Sequence, residues 1–249
     1  MAVLSGLEPK AVFEYFEKLC AVPHGSGNTK IISDLCVGFA KELGLKWRQD
    51  ALNNVVIWKD GTPGYEDAEP VILQGHMDMV CAKTEQCDKD MAREGLDLAT
   101  DGEYVWAEET SLGGDNCIAV AMALALLADK SMPHPPLEAV FTVDEEVGME
   151  GAFGLDCSDL KGRQLLNLDS EEEGVFTVSC AGGVRMDCRL PGSRGPLTGE
   201  TGYAVTISGL QGGHSGADID KGRASANVLV GRVLYSAMER VPGLRLADV

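Results

Sequence analysis

Three apolar stretches of the sequence end in side chains that can bind metal ions. Each stretch leads directly into histidine or carboxylate residues: 71–74 into His76 and Asp78, 137–143 into Glu145 and Glu146, and 164–168 into Asp169. Short apolar runs of this kind are typical of buried parallel strands. Ligands of an open α/β sheet bind beyond the carboxyl ends of its strands, so we expect these side chains to meet at one edge of a sheet.

The chemistry expected at that edge is the chemistry of divalent metal ions. Taken singly, an acidic residue after a strand is equally typical of a solvated loop, and Asp115, before an apolar helical stretch, is typical of a helix cap. Crowded together, carboxylates repel one another unless cations neutralise them. A histidine with several carboxylates suits Zn²⁺, Mn²⁺ or Co²⁺, and the oxygens suffice for two ions that share one carboxylate.

Two pairs of residues allow a division of roles. His76 and Asp78 are two positions apart, so in extended backbone their side chains lie on the same face of the strand. If one imidazole nitrogen binds a metal ion, Asp78 can accept a hydrogen bond from the other and fix the tautomer. Of the adjacent Glu145 and Glu146, one can bind metal while the other takes a proton from the attacking water.

Helices and strands alternate along the part of the chain that carries these residues. Helices are predicted over 8–20, 28–43 and 116–129, strands at 46–50, 54–58, 71–74, 137–143 and 164–168, and a hairpin near 97–109. This order predicts an α/β fold with a mixed, centrally parallel sheet and flanking helices.

The pattern changes near residue 182. Alternating residues predict half-exposed antiparallel strands at 175–180, 184–190 and 203–210, followed by a helix over 220–240. We therefore expect two domains: a first domain over 1–182 that contains the candidate metal ligands, and a short α+β unit over 183–249.

Composition and charge exclude several classes of function. The 249-residue chain has 39 acidic and 21 basic residues, and its net charge of −18 disfavours nucleic acids and anionic membranes as partners. The longest apolar run, 118–128, is too short to cross a bilayer, and no segment has the features of a signal peptide. The eight cysteines are scattered without a C-x-x-C pair, which favours reduced thiols and a cytoplasmic location.

Six short motifs occur along the chain: 22–27 (VPHGSG), 73–80 (LQGHMDMV), 110–116 (TSLGGDN), 142–151 (TVDEEVGMEG), 165–171 (LLNLDSE) and 212–216 (GGHSG). They resemble the motifs of the dinuclear metallopeptidases that include aminoacylases and carboxypeptidases, and most closely those of the aminoacyl-histidine dipeptidase (Xaa-His dipeptidase) branch. They stand in the family's order and cover almost the whole chain. The resemblance implies a zinc-peptidase-like catalytic domain over 1–182 and an incomplete lid and dimerisation domain over 183–249.

The resemblance also implies a set of metal ligands. His76 and Asp169 would bind one ion. Asp115 would bridge both ions, and Glu146 would bind the second. In this family the peptide bond after the bridging aspartate is cis, which here is the bond between Asp115 and Asn116. The ions implied are two divalent cations, Zn²⁺ first, with Mn²⁺ or Co²⁺ as alternatives.

The remaining site residues follow from the same resemblance. Glu145 would be the general base, Asp78 would support His76, and His214 of the lid would bind substrate and stabilise the oxyanion. His24 and His134 are expected to have structural roles. Family members continue beyond this length and supply a last histidine ligand. The sequence is therefore expected to end inside the lid, without a histidine at the matching position.

These expectations predict metal-dependent hydrolysis of dipeptides, typically Xaa-His, by a protein that forms a homodimer through a complete lid. Two alternatives stay open. One is removal of the acyl group from N-acyl amino acids by the same site. The other is an inactive, truncated fragment that only associates with a partner or with itself.

Overall fold

The structure, a computed structural model, describes residues 2–247 except 171, 181, 183, 185, 190, 197, 198, 200 and 214–217. The chain divides into two compact units, Met1–Cys180 and Ala181–Val249. The strands described in the first unit are β1 (Lys46–Gln49), β2 (Val55–Lys59), β3 (Val71–His76), β4 (Leu98–Thr100), β5 (Val105–Ala107), β6 (Leu137–Thr142) and β7 (Gln164–Asn167). Its described helices are α1 (Lys10–Cys20), α2 (Lys30–Glu42), α3 (Gly114–Ala128) and α4 (Glu150–Gly154).

A mixed sheet with the strand order β1-β2-β6-β3-β7 forms the centre of the first unit. Strand β3 lies between β6 and β7 and is parallel to both. Strand β2 is antiparallel to β6 and to β1. Every residue of β6 is buried, as expected for the middle strand of such a sheet. The predicted α/β fold with a centrally parallel sheet is confirmed. Strands β4 and β5 form the hairpin expected near 97–109.

Helices α2 and α3 pack against this sheet, α1 packs against α3, and together they enclose the main core. Helix α3 contacts α1 and β3, and α2 contacts β1 and β2. Helix α3 is apolar around most of its circumference, which fits a helix that is covered on several sides. Gly75 allows it to lie close to β3, because a Cβ there would be 2.6 Å from Asn116 Oδ1. None of the described helices is both long and apolar enough to span a membrane.

The register of the parallel strands brings their carboxyl ends side by side. His76 of β3 lies opposite Thr142 of β6, and Gln74 of β3 lies opposite Asn167 of β7. The chain continues from each of these ends directly into a predicted site residue. The ordinary hydrogen bonding of a parallel sheet therefore gathers segments that are far apart in the sequence.

The regular elements described in the second unit are two helices. They are a short 3-10 helix at Ile219–Lys221 and α5 (Ala226–Arg240). Ser225 caps α5 by accepting a hydrogen bond from the main-chain N–H of Val228 (3.4 Å). Helix α5 confirms most of the helix predicted over 220–240.

The prediction of strands at 175–180 and 203–210 is wrong, because neither segment forms a strand. The described residues of 184–190 form none either. An alternating sequence becomes a strand only when a neighbouring strand completes its hydrogen bonds and covers one of its faces. Phe176 and Val178 are 91% and 94% exposed, so that cover is missing here.

Two phenylalanines should contribute very differently to the stability of the first unit. Phe141 of β6 is completely buried (0% exposed), whereas Phe153 of α4 is 81% exposed. Phe141→Ala should lower the free energy of unfolding by about 3–5 kcal/mol, because it removes apolar contacts and leaves a cavity. Phe153→Ala, the matched control, should change it by less than about 0.5 kcal/mol. Urea denaturation followed by circular dichroism measures both, and equal effects would contradict this core.

Candidate metal centre

His76 ends β3 with 1% of its side chain exposed. Its Nδ1 lies 3.0 Å from the main-chain oxygen of Asp78 and 3.4 Å from Asp78 Oδ1. Because a main-chain oxygen can only accept, Nδ1–H is the donor and Nε2 is the nitrogen that remains for a cation. Histidines that bind metal ions commonly use their second nitrogen in this way.

Carboxylates from other segments surround Nε2 of His76. Its distances are 3.0 Å to Asp115 Oδ1, 3.8 Å to Asp169 Oδ2 and 3.9 Å to Glu145 Oε2. His76, Asp115 and Glu146 form a group whose ligand atoms all lie within 4.8 Å of one another. Zn–N and Zn–O bonds of about 2.0–2.2 Å allow ligands of one ion to be up to about 4.4 Å apart. The group therefore fits a metal ion after small side-chain adjustments.

Asn116 joins the end of β3 to the segment that follows β7. Its Oδ1 accepts a hydrogen bond from the main-chain N–H of His76 (3.1 Å), and its Nδ2 donates to the main-chain oxygen of Leu168 (2.9 Å). The peptide bond between Asp115 and Asn116 is cis, as the resemblance implied. Asn116 was not among the predicted site residues. Its position directly after a predicted metal ligand could have indicated a role in the site.

Asp78 is fully buried (0% exposed) and holds several segments at once. Its Oδ1 accepts a hydrogen bond from the main-chain N–H of Glu145 (3.1 Å). Its Oδ2 accepts from Ser26 Oγ (2.8 Å) and, at longer range, from the main-chain N–H of Glu146 (3.4 Å). The spacing of His76 and Asp78 predicts that Asp78 supports His76. The contacts of the same carboxylate with both glutamates and with Ser26 become visible only in the structure.

The neighbouring charges change the protonation of His76. Burial disfavours the charged imidazole, but the hydrogen bond and charge of Asp78, with the charges of Asp169 and Asp115, outweigh burial and raise the pKa of His76 to about 9. Without a metal ion, the carboxylates thus hold a proton on this ring. Metal binding to a histidine requires that this proton leave.

The carboxylates also affect one another. Burial, assisted by the charges of Asp115 and Glu145, outweighs the attraction of His76 and raises the pKa of Asp169 to about 6. Burial and the charge of Asp115 likewise raise the pKa of Glu146 above its usual value. A nearby divalent cation favours the ionised form of every carboxylate beside it. The charges of the site, like its distances, fit a metal ion.

The structure brings together six of the seven predicted site residues: His76, Asp78, Asp115, Glu145, Glu146 and Asp169. His214 lies outside the described residues. The individual roles stay predictions. The resemblance assigns Glu146 to the second ion, whereas the structure groups it with His76 and Asp115, so one ion could contact all three.

Three further buried residues have no predicted role in metal binding: His24, His134 and Cys117. His24 is buried with its Nδ1 hydrogen-bonded to the main-chain oxygen of Val22 (2.7 Å), and burial lowers its pKa. His134 is buried in the loop before β6. Cys117 is completely buried, and burial raises the pKa of its thiol far above the usual value, which makes the thiol unreactive.

Comparisons with known proteins add independent observations. No protein-family profile matches the chain. The cytosol non-specific dipeptidase of Escherichia coli (strain K12) is 41% identical over 249 residues, which cover all of this chain and 51% of that protein. The crystal structure of the aminoacylhistidine dipeptidase from Vibrio alginolyticus matches with a TM-score of 0.68 and 37% identity, over 96% of this chain and 49% of that chain. A tripeptidase from Staphylococcus aureus shares the fold alone, with a TM-score of 0.55 and 22% identity over 66% of this chain and 44% of that chain.

The first unit has the mixed-sheet α/β fold of a peptidase domain, and its histidine–carboxylate cluster could hold a metal ion. The two dipeptidase matches extend over almost the whole chain and confirm its resemblance to the aminoacyl-histidine dipeptidases. The chain spans about half the length of the relatives that it matches.

The imidazoles of His76 and His24 should titrate on opposite sides of their ordinary pKa of 6.5. After a chelator has removed divalent cations from the protein, His76 should keep its proton up to a pH of about 9. His24 should lose its proton below pH 6.5. Because the folded-state pKa of His76 is raised, its protonation stabilises the fold fully below pH 6.5, and this contribution disappears as the pH rises to about 9.

Nitrogen-15 NMR of the imidazole rings measures both values, and His76→Gln and His24→Gln assign the signals. Titration of both rings near pH 6.5 would contradict the charge environment described here.

Proposed function

We propose that this chain carries the metal-binding half of a cytosolic dipeptidase that hydrolyses dipeptides, Xaa-His dipeptides among them. The observation that carries the proposal is the group formed by His76, Asp115 and Glu146, with their ligand atoms within 4.8 Å of one another. It occurs in a chain that is 41% identical to a cytosol non-specific dipeptidase. An aminoacylhistidine dipeptidase supports the same assignment by its fold and by 37% identity.

The proposed cofactors are two divalent ions, Zn²⁺ first, with Mn²⁺ and Co²⁺ as alternatives. His76 and Asp169 would hold one ion, Glu146 the other, and Asp115 both. The mixture of one imidazole and several carboxylates is a donor set that these ions accept. When bound, such ions polarise the scissile carbonyl and lower the pKa of the attacking water.

Glu145 is the proposed general base. Its carboxylate is 36% exposed, and its Oε2 lies 3.9 Å from His76 Nε2, so it is both near the ligands and accessible to a substrate. It would accept a proton from the attacking water and return that proton to the leaving amine. Asp78 keeps the proton of His76 on Nδ1 and holds the main chain of Glu145 in place.

A role in substrate binding is proposed for one residue of the second unit. His214, in the motif GGHSG at 212–216, would bind the substrate and stabilise the oxyanion. The unit is also proposed to mediate a homodimer. Both proposals rest on the resemblance of the six motifs.

Hydrolysis of a free Xaa-His dipeptide by the 249-residue chain in the presence of Zn²⁺ tests the proposed activity. Glu145→Gln should lower kcat by about 10²- to 10⁴-fold, because the proton acceptor is lost, while metal binding persists. Glu150→Gln, an exposed glutamate in the first turn of α4, is the matched control and should keep the wild-type rate. Equal rates for the wild type and Glu145→Gln would contradict the role of Glu145. A folded, metal-loaded chain without turnover would contradict the activity.

A comparison of substrates separates the proposed reaction from removal of acyl groups. Free dipeptides offer an α-amine that N-acetyl amino acids lack, and we expect turnover of the dipeptides only. Faster hydrolysis of N-acetyl amino acids would favour the deacylase alternative.

Equilibrium dialysis with Zn²⁺ adds a measurement independent of activity, since Glu146→Gln should bind less metal than the wild type. A wild-type chain that binds no metal would indicate an inactive fragment.

A further inference from the structure

The segment 24–27 contacts both loops that carry the predicted site residues of β3 and β6. Gly25 forms a parallel β-bridge with Met79, just beyond the end of β3. The main-chain N–H of Met79 donates to the oxygen of His24 (3.1 Å), and the N–H of Ser26 donates to the oxygen of Met79 (3.3 Å). The segment is thereby aligned along the chain that leaves His76.

Little space separates the segment 24–27 from the residues that follow β3. A Cβ at Gly25 would lie 2.4 Å from Cys81 Sγ, so a side chain at this position would require the Cys81 side chain to move. The alignment leaves the hydroxyl of Ser26 within reach of Asp78. Ser26 Oγ donates a hydrogen bond to Asp78 Oδ2 at 2.8 Å.

The next residue of the segment reaches the loop that follows β6. The main-chain N–H of Gly27 donates to Asp144 Oδ1 at 2.6 Å. Asp144 has a left-handed backbone (φ of 56°), a conformation that aspartate tolerates better than most residues. Glu145 follows directly, so the orientation of the general base depends on how Asp144 is held.

The hydrogen bond from the Ser26 hydroxyl is the shortest that Asp78 accepts from another side chain. Asp78 Oδ2 is otherwise approached by the N–H of Glu146 at 3.4 Å, and Oδ1 by the N–H of Glu145 at 3.1 Å. If the hydroxyl is removed, Asp78 Oδ2 loses its shortest hydrogen bond, which is one of the contacts that fix the orientation of the carboxylate. Both the imidazole and the two glutamates depend on the orientation of that carboxylate.

We propose that Ser26 is a positioning residue of the metal site: its hydroxyl fixes the Asp78 carboxylate and thereby sets the positions of His76 and Glu146 relative to each other. The proposal rests on the proposed function in so far as His76 and Glu146 bind a metal ion. Ser26 is not assigned as a metal ligand or as a substrate-binding residue. It acts through Asp78, as the outer partners of metal ligands do.

The variants Ser26→Ala and Ser26→Thr test this role, because threonine keeps the hydroxyl and alanine removes it. Ser131→Ala is the matched control, since Ser131 Oγ also donates to an aspartate, Asp129 Oδ1 at 2.9 Å, but on an exposed loop after α3. Zn²⁺ affinity is measured by competition with a chromophoric chelator, and ligand geometry by the visible absorption of the Co²⁺-loaded chain.

Ser26→Ala should weaken Zn²⁺ binding by about 10- to 100-fold, the range typical of lost outer partners of metal ligands. It should also change the energies or intensities of the Co²⁺ bands. Ser26→Thr should restore both towards the wild type, and Ser131→Ala should leave both unchanged. A general loss of packing would instead lower the thermal midpoint of unfolding of the metal-free variant without a change in the Co²⁺ bands.

The outcomes separate this inference from the proposed function. Wild-type Zn²⁺ affinity and Co²⁺ bands in Ser26→Ala would overturn the positioning role and leave the metal site intact. Failure of Ser26→Thr to restore either readout would also overturn it, because the hydroxyl would then not be the cause. Absence of Zn²⁺ binding by the wild type would refute the proposed function itself.

Discussion

The buried carboxylate of Asp78 is the constraint on which the arrangement of the site depends. A charge with no contact with water is costly unless hydrogen bonds compensate for the lost hydration. Here the donors belong to three segments of the chain: the end of β3, the loop after β6 and the segment 24–27. Because one carboxylate has to satisfy all of them, compensation of a single buried charge also fixes the relative positions of the histidine and the glutamates.

The carboxylates clustered at the same sheet edge require a cation to compensate their charges. Burial and, after it, mutual repulsion raise the pKa values of Asp169 and Glu146, while the surrounding charges keep a proton on His76. The fold therefore concentrates negative charge in a place where it is unfavourable without a cation. The rigid parallel sheet makes this possible, since strand hydrogen bonds and the core beneath them hold the three strand ends together.

Much of this arrangement could be predicted from local patterns. Apolar runs of strand length indicated β3, β6 and β7, and the rule that ligands bind beyond the ends of parallel strands indicated where their polar residues meet. Residues such as Ser26 and Asn116 were missed because their side chains matter only through distant partners. The strands expected at 175–180 and 203–210 failed for a related reason: alternation describes a strand's two faces but does not supply the neighbouring strand that makes it stable.

Local sequence patterns specified which residue types follow each strand, the order of the helices and strands in the first unit and, through the six motifs, the resemblance to the aminoacyl-histidine dipeptidases. The tertiary structure decided which atoms meet: that Nδ1 of His76 carries a proton towards Asp78, that Nε2 faces the carboxylates, and that Ser26 completes the support. The physical reason is range. Local patterns reflect contacts within a few residues, whereas the bonds of Asp78 to Ser26 and to Glu145 span 52 and 67 positions and form only when the sheet has folded.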